Sequence, residues 1–280
     1  MKVVTTRAEL ADALAAPHRR RAVVMTMGAL HEGHLSLVRQ ARELADQVVV
    51  TVFVNPLQFG AGEDLDRYPR NLDGDVAMLA DAGAQVVFAP QVSEVYPEQP
   101  VVTVSAGAIG ERLEGAHRPG HFDGVLTVVL KLCHLVQPDV AVFGQKDAQQ
   151  LIAVSRMVAD LDVGVQVVAA PIVRDTDGVA LSSRNAFLDR EHRVTARALY
   201  SALQAARHAV EDGADGGGAR RAAEAVLAAE PGLVVDYVAM VDPTTAQDVV
   251  AGHRGPALLA LAARVGSTRL IDNVMLDLPE

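Results

Sequence analysis

Short β-branched runs alternate with helical spacings through the first part of the chain. Residues 21–27 (RAVVMTM) and 47–53 (QVVVTVF) are nearly continuous in Val, Met and Thr, the pattern of strands buried on both faces. Between them, Leu35, Val38, Ala41, Arg42 and Ala45 fall on helical spacings, which predicts a helix over 35–45. Residues 85–89, 139–143 and 164–168 are further strand candidates, separated by helical stretches such as 125–136 and 148–159. Strand–helix–strand succession implies a parallel sheet covered on both faces, and right-handed crossovers make it a doubly wound, Rossmann-like layer.

Near Pro171 the rhythm changes. Residues 172–185 (IVRDTDGVALSSRN) place Asp-Gly turn chemistry between short apolar runs and suggest a hairpin. Helices are expected over 191–210 and 219–229, joined by the loop EDGADGGG, and strands over 234–241, 257–261 and 268–271. The fold class read from this is α/β: a Rossmann-like doubly wound parallel sheet domain (1–172) followed by a smaller α+β domain (173–280).

Composition narrows the function. The chain has 280 residues, half of them apolar, enough for a real core and against general disorder. The start MKVVTTRAELADAL lacks the order of a signal peptide, and no apolar run is long enough to span a bilayer. A cytoplasmic protein without membrane partners is expected. Cys133 is the single cysteine, so an intrachain disulfide is impossible. The net charge of −10 argues against nucleic acid as a partner. Lysine occurs only at Lys2, Lys131 and Lys146, with arginine supplying the remaining cations.

Several nucleotide and metal signatures fail. Gly28 and Gly33 have Walker A spacing, but His34-Leu35 stands where Lys-Ser/Thr is required. Gly60-Ala61-Gly62 has Leu65 at the third glycine position of a dinucleotide fingerprint, and His31-Glu32-Gly33-His34 is one residue short of a zincin motif. His117 and His121 are four apart, but Pro119-Gly120 interrupts any helix between them, so no metal site is expected. What survives is a strand ending in Met27, then Gly28-Ala29-Leu30-His31-Glu32-Gly33-His34, then a helix. Two glycines let the backbone approach a ligand, and the helix N-terminus offers N–H groups to an anion. From the turn alone, an anion site and a capped turn with two solvated histidines stand as equal readings.

The tetrapeptide HEGH resembles the HxGH motif of the nucleotidyltransferase superfamily. The string MGALHEGHLSLV (27–38) is similar more narrowly to the pantothenate synthetase (pantoate–β-alanine ligase) family. FVNPLQFG (53–60), RYPR (67–70), LEGAHRPGHFDGVLTVVLKL (113–132), FGQKDAQQ (143–150) and RDTDGVALSSRN (174–185) follow in the family's order. The resemblance implies ATP-dependent condensation of pantoate with β-alanine through a pantoyl adenylate, releasing AMP and pyrophosphate. ATP is then a substrate whose Mg²⁺ is held mainly by its own phosphates, with no permanently bound cofactor.

Carried over residue by residue, the resemblance makes His34, His31 and Lys146 catalytic. It places Met27, Gly28, Ala29, Leu30, Glu32, Gly33, Gly144, Gln145, Asp147, Val173, Leu181, Ser182, Ser183 and Arg184 on the nucleotide, with the ALSSRN loop closing as a hinge. Gln58 and Gln150 are assigned to pantoate and β-alanine, and Asn55, Tyr68 and Arg118 stand second. Lys146 also follows from the residues themselves. It lies at a strand-to-helix junction, where parallel sheets bind ligands, and a movable ammonium suits phosphate in a chain that otherwise avoids lysine. Residues 60–70 are polar and glycine-containing, as in a mobile lid. The apolar runs of the second domain and the family pattern imply a homodimer. The competing readings are a nucleotidyltransferase for another small acceptor and a nucleotide-binding module without turnover.

Overall fold

In this computed structural model, which describes residues 1–60, 63 and 65–279, the elements follow a strand–helix alternation in the first part. They run β1 (Lys2–Val4), α1 (Arg7–Leu14), β2 (Arg21–Thr26), α2 (Glu32–Leu44), β3 (Gln47–Val52), α3 (Leu72–Ala82), β4 (Val86–Phe88), α4 (Val92–Val95), α5 (Leu113–His117), α6 (His121–Val136), β5 (Val140–Gly144), α7 (Ala148–Asp160) and β6 (Gln166–Ala170). Then come α8 (Arg190–Glu211), α9 (Gly216–Ala228), β7 (Leu233–Val241), β8 (Gly255–Val265) and β9 (Thr268–Leu278). Residues 1–144 and 153–170 form one compact unit, and residues 145–152 and 171–280 a second.

The first unit holds a six-stranded parallel sheet in the order β1-β4-β3-β2-β5-β6. This is the Rossmann-like layer that the alternation predicts. Val24, Val48, Val50, Val87 and Val142 meet Val38, Ala41 and Leu79 of the covering helices in one buried cluster. β2 pairs with β3 on one side and β5 on the other, so the strand order reverses there. The carboxyl ends of β2 and β5, Thr26 and Gly144, therefore flank the crevice where sheets of this kind hold ligands. At the opposite end of β2, the buried Arg21 guanidinium donates to the carbonyls of Leu14 (2.8 Å) and Val136 (2.6 Å), which fixes the strand against two neighbouring segments.

The second unit is an antiparallel sheet, β7-β8-β9, against which α8 and α9 pack. Leu199, Leu203, Leu227, Leu259 and Leu261 are at the centre of its core. No helix among the described residues is long and apolar enough to cross a membrane.

Element limits differ from the sequence expectation where a local device moves them. The helix expected at 35 begins at Glu32, because the His31 ring accepts the Gly33 N–H and caps it. The helix expected at 125 begins at His121, after Gly120 turns the chain at φ 79°. Gly124 then sits so close to the Pro56–Gln58 turn that a Cβ would lie 2.1 Å from the Leu57 carbonyl oxygen. The triple glycine read as loop is the first turn of α9, with Asp215 accepting the Gly218 N–H at 2.7 Å. The hairpin over 172–185 reduces to one bridge, Arg174 with Ala180, around a turn closed by Gly178 at φ 89°. β8 and β9 are much longer than expected, since each completes the other's ladder. β1 and α1 lie outside the sequence expectation, although Thr6 and Glu9 form a capping box that is legible in TRAE.

Candidate active site

The turn between β2 and α2 places Met27 to His34 at the sheet's carboxyl edge. Gly28 (φ 85°) and Ala29 (φ 52°) are both left-handed. A Cβ on the buried Gly28 would be strained at this φ and would crowd an Asp75 carboxylate oxygen at 3.0 Å and Val52 at 3.2 Å. Asp75, 2% exposed on α3, accepts the Ala29 N–H at 3.0 Å and the Leu30 N–H at 2.8 Å, one on each oxygen. This carboxylate holds the turn open. Sequence reasoning missed it, because nothing in NLDGD marks one aspartate as inward-facing.

The two histidines form a reciprocal cap. The His31 Nδ1 accepts the Gly33 N–H at 3.1 Å, and the His34 Nδ1 accepts the His31 N–H at 3.3 Å. An Nδ1 that accepts a backbone N–H leaves the ring proton of a neutral imidazole on Nε2. Both rings are therefore assigned as Nε2–H donors, their centroids 4.1 Å apart. Glu32 is the first residue of the helix. It is exposed on α2 and paired with Arg39, whose hydrogen bond holds the Glu32 carboxyl below its usual range.

A second chain of contacts fixes Gln58. The Asn55 Oδ1 accepts the Leu57 N–H (3.4 Å) and the Tyr96 hydroxyl (3.0 Å), while its Nδ2 donates to the Gly124 carbonyl (3.1 Å) and to the Gln58 Oε1 (3.1 Å). A backbone donor on one side and a backbone acceptor on the other leave the Asn55 amide a single orientation. Gln58 must then turn its oxygen to Asn55 and its Nε2 to the Met27 sulfur, 3.1 Å away. Thioether sulfur is a weak acceptor, so the largely buried Gln58 presents an amide donor that a carboxylate or hydroxyl oxygen would use better. Asn55 is 1% exposed, and its amide holds the Gln58 side chain in place. Burial pushes the Tyr96 phenol up and keeps it a donor.

Arg118 makes a bidentate pair with Glu63 (2.8 and 2.6 Å) and donates to the Gln58 carbonyl (3.3 Å). The His121 Nδ1 also donates to that carbonyl (2.8 Å), which leaves its Nε2 to accept from Arg118 at 3.1 Å. Burial, and then the Arg118 charge, hold His121 below the usual imidazole range. Tyr68 meets Phe59 edge-on at 6.1 Å. Of the lid expected over 60–70, Ala61, Gly62 and Asp64 lie outside the described residues, and Leu65–Arg67 is a 3₁₀ turn.

The second unit carries the remaining residues. Gln145–Asp147 form a 3₁₀ turn leading into α7, with the Lys146 ammonium 3.8 Å from an Asp147 oxygen and Gln150 in the first turn of the helix. The Leu181 N–H donates to the Val173 carbonyl at 2.9 Å, so these two expected nucleotide neighbours face each other across the bridge. Ser182 caps the 3₁₀ turn Ser183–Phe187 by accepting the Arg184 N–H at 3.3 Å, and Arg184 is exposed. Asn273 was missed by sequence reasoning. It donates to the carbonyls of Gln145 (2.9 Å) and Lys146 (3.0 Å). Among the described residues no group of three or more His, Cys, Asp or Glu side chains is placed to hold a metal ion.

The family profile of pantoate–β-alanine ligase matches residues 2–275. This chain belongs to the pantoate–β-alanine ligase family. It is 54% identical to a pantothenate synthetase of Thermobifida fusca over 99% of this chain and 96% of that one. A crystal structure of pantothenate synthetase from Thermus thermophilus superposes with a TM-score of 0.92 at 49% identity, covering 98% of this chain and 99% of that chain. The pantoate–β-alanine ligase of Francisella tularensis, complexed with beta-gamma ATP and beta-alanine, superposes with a TM-score of 0.80 at 30% identity, covering 98% and 97%. Both solved structures thus share the fold of this chain over 98% of its length.

Proposed function

We propose that the protein condenses pantoate with β-alanine in two steps. A pantoate carboxylate oxygen attacks the α-phosphorus of ATP, the bond to the β-phosphate breaks, and pyrophosphate leaves. The amine of β-alanine then attacks the carbonyl carbon of pantoyl adenylate, the bond to AMP breaks, and the amine loses its extra proton as the amide forms. Activation is needed because a carboxylate at neutral pH has no usable leaving group.

The observation that carries this reading is the pair of Nε2–H imidazoles at the start of α2. They offer two neutral donors beside a helix N-terminus, a setting that stabilises charge developing on an α-phosphate. Lys146 supplies the mobile positive charge, and Ser182, Ser183 and Arg184 supply donors for the triphosphate tail. The Gln58 amide N–H meets pantoate. A neutral donor holds the carboxylate while leaving it nucleophilic, and Gln150 has the same chemistry. Mg²⁺ arriving on ATP neutralises phosphate charge. Membership of the ligase family supports the substrates, and the ligands named for the Francisella tularensis enzyme support ATP and β-alanine in particular.

The test is to mix protein, ATP, Mg²⁺ and pantoate, follow pyrophosphate, and then add β-alanine. A stoichiometric burst that β-alanine converts to sustained turnover is expected. Absence of pyrophosphate under every order of addition would leave nucleotide binding without this chemistry. Pyrophosphate released with a different acceptor in place of pantoate would favour another nucleotidyltransferase.

A further inference from the structure

The Asn273 contacts lie outside every motif that carries the family resemblance, yet they end on one of them. Asn273 is 5% exposed on β9, and its Nδ2 donates one hydrogen to the Gln145 carbonyl and the other to the Lys146 carbonyl. The residue before it, Asp272, is 3% exposed and binds the Arg174 guanidinium through both oxygens at 2.6 and 2.9 Å. The same carboxylate accepts the Asn273 N–H at 2.8 Å. Arg174 in turn donates to the Gly178 carbonyl at 3.1 Å and stacks 4.5 Å over the Tyr200 ring. Two adjacent residues of one strand therefore grip two separate segments: the Gln145–Asp147 turn and the start of the loop that carries Val173 and Leu181–Arg184. β9 also packs against both 3₁₀ turns, Gln145–Asp147 and Ser183–Phe187. The grouping of residues 145–152 with the second unit has its physical cause here.

We infer that Asn273 is a positioning residue for adenylate formation: with Asp272 it fixes the Lys146 backbone to the strand that also anchors the 173–184 loop, so that lysine and loop present their donors at a set spacing. The inference rests on the reading of Lys146 as a phosphate contact. A lysine ammonium swings on four rotatable bonds, and its reach is set by where its backbone is held. A shift on the order of 1 Å at a reacting group costs up to about 10²-fold. An amide suits the task because one planar nitrogen satisfies two successive carbonyls, which a hydroxyl, with one hydrogen, and a carboxylate, with none, do not.

A double-mutant cycle on pyrophosphate release tests it. Asn273→Leu keeps the branched shape and removes both donors. It is expected to lower the rate at saturating ATP about tenfold with Lys146 present and less than twofold in the Lys146→Ala background, while the KM for pantoate stays within about twofold of wild type. Multiplicative losses in the double variant, or a wild-type rate in Asn273→Leu, would overturn the positioning role and leave Lys146 in place. A wild-type rate in Lys146→Ala would instead overturn the reading of the lysine and this inference with it. If Asn273→Leu does not fold, Asn273→Ser, with one donor left, enters the same cycle. A smaller loss that again vanishes without Lys146 is expected, and multiplicative losses overturn the role.

Discussion

At the residue scale, the chemistry turns on which nitrogen of a ring carries the proton. His31 and His34 spend their Nδ1 atoms on the N–H groups of their own turn, and Nε2–H is what each ring can offer a phosphate oxygen. His34→Ala removes one donor and half of the reciprocal cap, and pyrophosphate release is expected to fall roughly 10²-fold. A near wild-type rate in single-turnover experiments would strike His34 from the catalytic set. At His121 both ring nitrogens are engaged within the fold, and its pKa is held down by burial and Arg118, with the Gln58 carbonyl, Glu63 and Glu114 partly opposing. The unfolded chain takes up a proton at this ring as the pH falls through about 6.5, while the folded protein resists until a lower pH. The unfolded state then binds more protons, so folding stability declines with falling pH in that window. Urea unfolding at about pH 7.5 and about pH 5.5 checks this: His121→Asn should flatten the decline, and an unchanged slope would show that other groups cause it. The motifs marked these histidines as present, but ring tautomers depend on partners that local sequence names only for His31 and His34.

At the element scale, the β2–α2 turn is a left-handed pair of residues followed by a helix capped from within. The glycines and histidines of that turn are legible in MGALHEGH, and its support is not. Asp75 reaches it from α3, and its two acceptors match the buried Leu30 N–H and the part-buried Ala29 N–H. Asp75→Ala leaves the buried Leu30 N–H unsatisfied, at about 1–3 kcal/mol, and removes the partner of the Ala29 N–H as well. Urea denaturation should show a loss on that scale, together with slower pyrophosphate release, whereas a stable variant with normal turnover would mean that the turn holds its shape alone. The helix limits follow the same rule. α2 starts early because of a side-chain cap, and α9 starts inside three glycines because Asp215 supplies an acceptor that outweighs their poor propensity.

At the scale of the whole molecule, the chain separates into a parallel α/β unit and an antiparallel α+β unit, each with its own core. Val234, Val235 and Met275 remain exposed on β7 and β9. With the apolar runs of the second part of the chain, these motivate the expectation of a homodimer. Sedimentation equilibrium at micromolar protein should give about twice the 29.6 kDa chain mass, and a single-chain mass at all concentrations would refute it.

The sequence by itself determined the alternation of buried strands and amphipathic helices, and with it the parallel sheet, because a strand covered on both faces must be apolar at nearly every position. It also determined the family, since motifs of unusual composition stand in fixed order through residues 27–185. Only the tertiary structure decided what holds those motifs in place. Asp75 behind the histidine turn, Asn55 behind Gln58, and Asp272 and Asn273 behind Lys146 and the serine loop are ordinary polar residues along the chain. Each acquires its role by being buried against a backbone group or side chain that another segment delivers. A buried donor or acceptor must find a partner, and which partner it finds is settled by packing.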